Sequence, residues 1–212
     1  MMTGVDHIFD PSELMAHRLP GANLDVGLEF LGGDPEGPYW MAVVFPPGFR
    51  RPGSPAVDTA EGYFVLEGEL HFSGVVSPSG SYTLIPPGAA RVDTGTEVPT
   101  TAVARFGRRP NWLESGNPEA GPISVTEPDG PVRPTPLGHG WELASHDGVR
   151  VLMVEFLTPQ PSPVDAYLVS LADGTAVSVT EGEVPPELSG PIGAWVPSPG
   201  PADRKQVSPS EG

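Results

Sequence analysis

Cysteine is missing from the chain, which excludes disulfides and thiolate metal sites outright. Basic residues are scarce: 11 Lys and Arg stand against 27 Asp and Glu, a formal net charge of -16. That balance repels nucleic acid and anionic membrane surfaces, so neither is expected as a partner. A neutral or cationic small molecule, or a basic protein, is electrostatically easier, although a local basic pocket can override the global sign. No segment approaches 18 apolar residues, and the opening MMTGVDHIFDPSELMAHRLPG lacks a basic stretch followed by an apolar run. The expectation is therefore a soluble, cytoplasmic protein. Helix signals are nearly absent as well. Only Asp10-Pro11-Ser12-Glu13 combines a cap, a first-turn proline and a back-bonding glutamate, and Gly21 ends whatever forms there. The chain has no G-x-S-x-G, no P-loop and no G-x-G-x-x-G in a strand-to-helix setting, so hydrolase-elbow and nucleotide readings have no support.

Proline and glycine are abundant. The 29 Pro and 27 Gly make up about a quarter of the 212 residues and punctuate short apolar runs. That pattern predicts many short strands joined by tight turns. Strands are expected at 24–31, 39–45, 62–66, 69–72, 82–85 and 101–106, then at 149–157, 166–171, 175–179 and 193–196. An irregular stretch, 107–140, divides the two sets, and the polar end, 205–212, reads as a loose tail. The halves echo one another: VVFPPG with VEFLTP, EGYFVLEGELHFSG with DAYLVSLADGTAVS, and GSYTLIPPGAAR loosely with GAWVPSPGPADR. A tandem duplication accounts for this, with units over 1–106 and 141–204.

Two spacings carry a family resemblance. Gly48, Glu61 and Gly68 stand as in G-x5-H-x-H-x3,4-E-x6-G, and Gly80, Pro86, Gly88 and Arg91 as in G-x5-P-x-G-x2-H. Over roughly 40–106 the chain resembles the cupins, small jelly-roll barrels, and in particular the ChrR-like group with its FPPG loop. The resemblance implies an all-β fold of cupin barrels, here arranged as a tandem bicupin. The chain departs from the pattern at the metal. Ser54, Ala56 and Arg91 fall on the histidine positions, and of the four ligands only Glu61 remains. One carboxylate beside a permanent cation does not make a transition-metal site, so no metal and no other cofactor is expected.

Carried over position by position, the resemblance implies that Glu61 and Arg91 meet in the pocket as an ion pair. Such a pair can hold an oxyanion and move a proton, or can simply satisfy a buried charge. Tyr63, two positions beyond Glu61, shares its face and is either a proton donor or a barrel-lining aromatic. His71 alternates with Leu70 and Phe72 and faces solvent if those two pack between sheets; in the opposite register it enters the pocket. Glu155 in VLMVEFL and Arg105 in AVARF are each either pocket groups or solvent-face residues. Trp40 and Trp195 are core or ligand-stacking aromatics. Asp58 lies in the Pro-rich loop, and Asp165 takes the approximate place of Glu61 in the second half. His7, His17, His139 and His146 show no metal-ligand spacing. Glu61, Arg91 and Tyr63 are thus the candidate catalytic residues, with Trp40, His71, Arg105 and Glu155 as candidate substrate contacts. The resemblance to metal-free cupins points to an enzyme that isomerises, eliminates from or cyclises a small organic molecule, in the manner of bacterial secondary metabolism. The alternative is a non-catalytic binder or regulator. Edge-strand exchange makes a homodimer the expected assembly.

Overall fold

The computed structural model describes residues 14–34 and 36–198. Among them lie nineteen strands and no helix. The first half carries β1 (Met15–His17), β2 (Val26–Gly33), β3 (Tyr39–Phe45), β4 (Arg50–Arg51), β5 (Ala56–Val57) and β6 (Glu61–Glu67). It continues with β7 (Glu69–Phe72), β8 (Val75–Pro78), β9 (Tyr82–Ile85), β10 (Thr94–Gly95) and β11 (Thr100–Phe106). Then come β12 (Trp112–Leu113), β13 (Ser124–Thr126), β14 (Arg133–Thr135), β15 (Gly138–His146) and β16 (Val149–Leu157). The last three are β17 (Ala166–Ser170), β18 (Ala176–Val179) and β19 (Ile192–Pro197). The cap at Asp10–Glu13 lies outside the described residues, and 15–17, beyond it, is a strand.

Three layers stack. A seven-stranded sheet, β1-β2-β3-β11-β6-β9-β13, is the middle one. On one side it faces a four-stranded sheet, β4-β10-β7-β8; on the other, a six-stranded sheet, β14-β15-β16-β19-β17-β18. Both faces of the middle sheet are therefore covered, which explains why EGYFVLE reads as a nearly continuous apolar run. Its alternation survives in where each side chain goes. Tyr63, Val65, Ala102, Ala104 and Ile85 pack with Leu70 and Phe72 of the small sheet. Their neighbours Phe64, Tyr82, Val103 and Ala42 pack instead with Val151, Met153, Tyr167 and Trp195 of the six-stranded sheet. Each fully buried side chain, such as Phe64 or Val103, contributes about 1.5–3 kcal/mol by leaving water.

The turn glycines behave as the spacing predicts. Gly68 has φ +77°, and a Cβ there would lie 2.3 Å from the Pro99 carbonyl oxygen, so no other residue fits between β6 and β7. Gly88 closes the Pro86-Pro87-Gly88 turn at φ +76°.

The strand orders of the two halves agree. The order β2-β3-β11-β6-β9 in the first half matches β15-β16-β19-β17-β18 in the second. β19 thus stands where β11 does in the first half, and by strand order it answers to β11 and not to the strand of GSYTLIPPG. Among the described residues the second half has no counterpart of the four-stranded sheet. The stretch 107–140 is not merely irregular: it supplies β12, β13, β14 and the start of β15. These strands escaped the pattern because three of them span only two or three residues. In β15, Gly138 and Gly140 flank a register shift and break the alternation.

Candidate functional site

The cavity of the first half lies between the middle sheet and the four-stranded sheet. It encloses about 160 Å³, equal to about five waters' share of liquid volume. Met41, Val43 and Phe45 of β3, Phe106 of β11 and Leu70 and Phe72 of β7 give it an apolar wall. Polar groups enter from one end.

Glu61 opens β6, where pairing with Phe106 and Ile85 fixes its inward direction. Arg91 arrives from the loop after Pro86-Pro87-Gly88, whose backbone is pinned where the Arg91 N–H donates to the Pro55 carbonyl (2.9 Å). The Arg91 Nη2 donates to Glu61 Oε2, and both side chains are largely buried, 7% and 17% exposed. The inferred ion pair is present. Arg91 Nη1 is enclosed with no hydrogen-bond partner.

A second cation, absent from the sequence-derived site, joins them. Arg51 is 3% exposed, lines the same cavity, donates from Nε to the Pro20 carbonyl (2.8 Å) and lies 4.1 Å from the ring centre of Trp112. Burial, and then the neighbouring Arg91, push its pKa down to about 10. Two guanidiniums thus face one carboxylate. The signal for Arg51 was the RR pair of FRRPG, where one arginine must turn inward from a two-residue strand. Trp112 was hidden in the stretch taken as a linker. That segment folds back because β12 pairs with β5. Asp58 ties it down, accepting from the Asn111 N–H (2.8 Å), Asn111 Nδ2 (2.9 Å) and Arg108 Nη2 (2.8 Å). The Asn111 side-chain and backbone hydrogen bonds, then Arg108, hold the Asp58 carboxyl well below the usual carboxylate range.

Tyr63 lines the cavity with its ring, while its hydroxyl lies 3.2 Å from Ser77 Oγ, itself 2.7 Å from Thr83 Oγ1. Burial pushes the phenol far above its ordinary value, so it stays a neutral donor. His17 of β1 reaches the cavity mouth. Its ligand set does not suit a transition metal. Glu61 is already claimed by Arg91, two cations occupy the polar end, and among the described residues no three His, Asp or Glu side chains converge on one point.

The other candidates go elsewhere. His71 is half-exposed and pairs with Glu69 (2.8 Å), on the side away from Leu70 and Phe72; it enters no cavity. Glu155 is exposed beside Phe156 on β16. Trp40 and Arg105 face each other across β3 and β11, on the opposite face of the middle sheet from Glu61. There Trp40 stacks on Tyr167 at 4.0 Å and meets Trp195 edge-on at 6.3 Å. The structure therefore separates two groups of residues that the strand pattern had pooled.

Fold and cavity together define a cupin-type jelly roll with an enclosed small-molecule-sized site. Of three similar solved structures, the first shares the fold. It is a protein of Nostoc punctiforme, described as a candidate dioxygenase, at 14% identity and TM-score 0.63 over 91% of this chain and 82% of that one. Another is protein Ylba of E. coli, at 13% identity and TM-score 0.48 over 90% and 85% of the two chains. A cupin-like protein of Thermotoga maritima matches at 18% identity and TM-score 0.40, over 52% and 93%. At these identities the likeness is one of fold. Neither a family model nor a curated protein matches the chain.

Proposed function

We propose that the chain is a metal-independent cupin, related to the ChrR-like FPPG-loop group, that transforms a small organic acid or carbonyl compound in the first-half cavity. The observation that carries this reading is the Glu61–Arg91 pair inside an apolar cavity that also holds Arg51. A carbonyl or carboxylate oxygen rests against Arg91 and Arg51. Glu61 then takes a proton from the adjacent carbon, and the electron pair moves to that oxygen as an enolate held by the guanidiniums. Return of the proton at another atom gives an isomer. Expulsion of a leaving group from the next carbon gives elimination, and attack on an internal electrophile gives ring closure. No electron is gained or lost overall. The small volume limits the substrate to a handful of heavy atoms. Tyr63 serves as a neutral donor backed by Ser77 and Thr83.

A binder is the second reading, favoured by one observation: Glu61 and the Tyr63 hydroxyl are both already engaged within the protein. We further read the chain as a tandem duplication whose second copy kept the large sheet and not the small one. A homodimer would use the edge strand β1, where Met15 is 74% exposed.

The test is a thermal-shift screen with short hydroxy, keto and unsaturated acids, followed by product analysis of each hit by NMR. Turnover by the wild type, with at least a hundredfold loss in Arg91→Met, is expected. Saturable binding with no product from any hit would leave the binder, and hits unaffected by Arg91→Met would remove this cavity from the reaction.

A further inference from the structure

A separate cleft of about 440 Å³ opens between the middle sheet and the six-stranded sheet, lined by Trp40, Arg105, Asp165, Tyr167, Ser178 and Trp195 among others. Its floor is Arg105. That side chain is 3% exposed, yet among the described residues it makes no hydrogen bond and no ion pair, and its Nη1 is enclosed without an acceptor. The contrast with Arg91, which has Glu61, is direct. An uncompensated buried guanidinium is costly, so burial pushes its pKa down, and only the Tyr82 phenol and the Asp147 carboxylate nearby favour its charge. Beside it the Trp40 indole N–H is likewise enclosed without an acceptor. Asp165 lines the cleft, but one of its oxygens already accepts the Glu181 N–H (2.8 Å).

Flat rings surround these donors. Trp40 and Tyr167 stack with only 13° between their planes, and Trp195 lies edge-on to Trp40. The two donors lack an acceptor, the three rings pack on one another behind them, and Pro38, Val149 and Pro197 complete an apolar rim. The complement is an acceptor-rich anion on a flat apolar body.

We propose that this intersheet cleft is a binding site for an aromatic carboxylate, its carboxylate on Arg105 and Trp40 and its ring against the apolar rim formed by Pro38, Val149 and Pro197. The volume lies within the ordinary range for small-molecule sites and admits two fused rings. The site is independent of the first-half cavity, since Arg105 and Glu61 project from opposite faces of one sheet.

Isothermal titration with 2-naphthoate tests it, because that acid is too large for the 160 Å³ cavity. Saturable 1:1 binding is expected for the wild type, at least about tenfold weaker for Arg105→Met and about fivefold weaker for Trp40→Phe. Naphthalene-2-methanol, with no carboxylate, is expected to bind at least tenfold more weakly than the acid. Arg105→Met carries a second readout: without ligand its melting temperature is expected to equal or exceed the wild type's, because a buried unpaired charge has gone. If Arg105→Met does not fold, Arg105 is structural and the proposal fails on that ground. No saturable heat with the wild type, or equal affinity in Trp40→Phe and Arg105→Met, would overturn it too.

Discussion

Arg91 sets a fixed cation against Glu61 inside the first-half cavity, and the physics of that cavity follows from the pair. The pair is held together because each partner needs the other. Removing one leaves a buried charge uncompensated, so Glu61→Gln and Arg91→Met are each expected to lower unfolding free energy by about 3 kcal/mol. The double variant is expected to lose less than either single one. Urea denaturation of the four proteins checks this, and additive losses would mean the two side chains do not depend on each other. Glu61 and Arg91 were legible from their spacing to the turn residues Gly68, Pro86 and Gly88. Arg51 was not, since a two-residue strand has no period to read. Trp40 and Arg105 were legible as partly buried residues and not as a second site: alternation tells which residues share a face, never which layer covers it.

At the level of elements, the middle sheet is tolerable only because its neighbours approach it closely on both sides. Gly62 permits this. A Cβ there would lie 1.7 Å from the Tyr82 hydroxyl, which crosses Gly62 to reach His146 Nε2 at 2.8 Å. Gly193 does the same on β19, where a Cβ would come within 2.6 Å of the Phe64 ring. Because Tyr82 is fully buried, it has nowhere to move. Gly62→Ala is therefore expected to cost about 1–3 kcal/mol, seen as a melting temperature lower by several degrees. An unchanged melting temperature would mean the two large sheets do not interlock at this point. Of the first-half strands, β2, β3, β6, β7, β9 and β11 were readable as apolar runs whose ends are marked by Gly and Pro, whereas β1, β4, β5, β8 and β10, of two to four residues each, were not. β12 to β15 were not, because Pro-rich strands of two or three residues and a bulged nine-residue strand show no alternation.

On the scale of the whole molecule, charge and interior run opposite ways. The chain carries -16 overall, yet it buries three guanidiniums, Arg51, Arg91 and Arg105, each at 6% exposure or less. In the proposed function these interior cations are the groups that would hold a small desolvated anion. Among the described residues no helix is long and apolar enough to cross a membrane. Each half supplies a large sheet, and Tyr82, Phe64 and Trp195 pack where the two sheets meet. The central claim of the proposed function is that the cavity holding Glu61, Arg91 and Arg51 works without a transition metal. Native mass spectrometry of the intact protein, after incubation with Fe(II), Mn(II) or Zn(II) and desalting, tests it most directly. The expected spectrum shows the bare chain mass for all three. One ion per chain that disappears in Glu61→Gln would contradict the account.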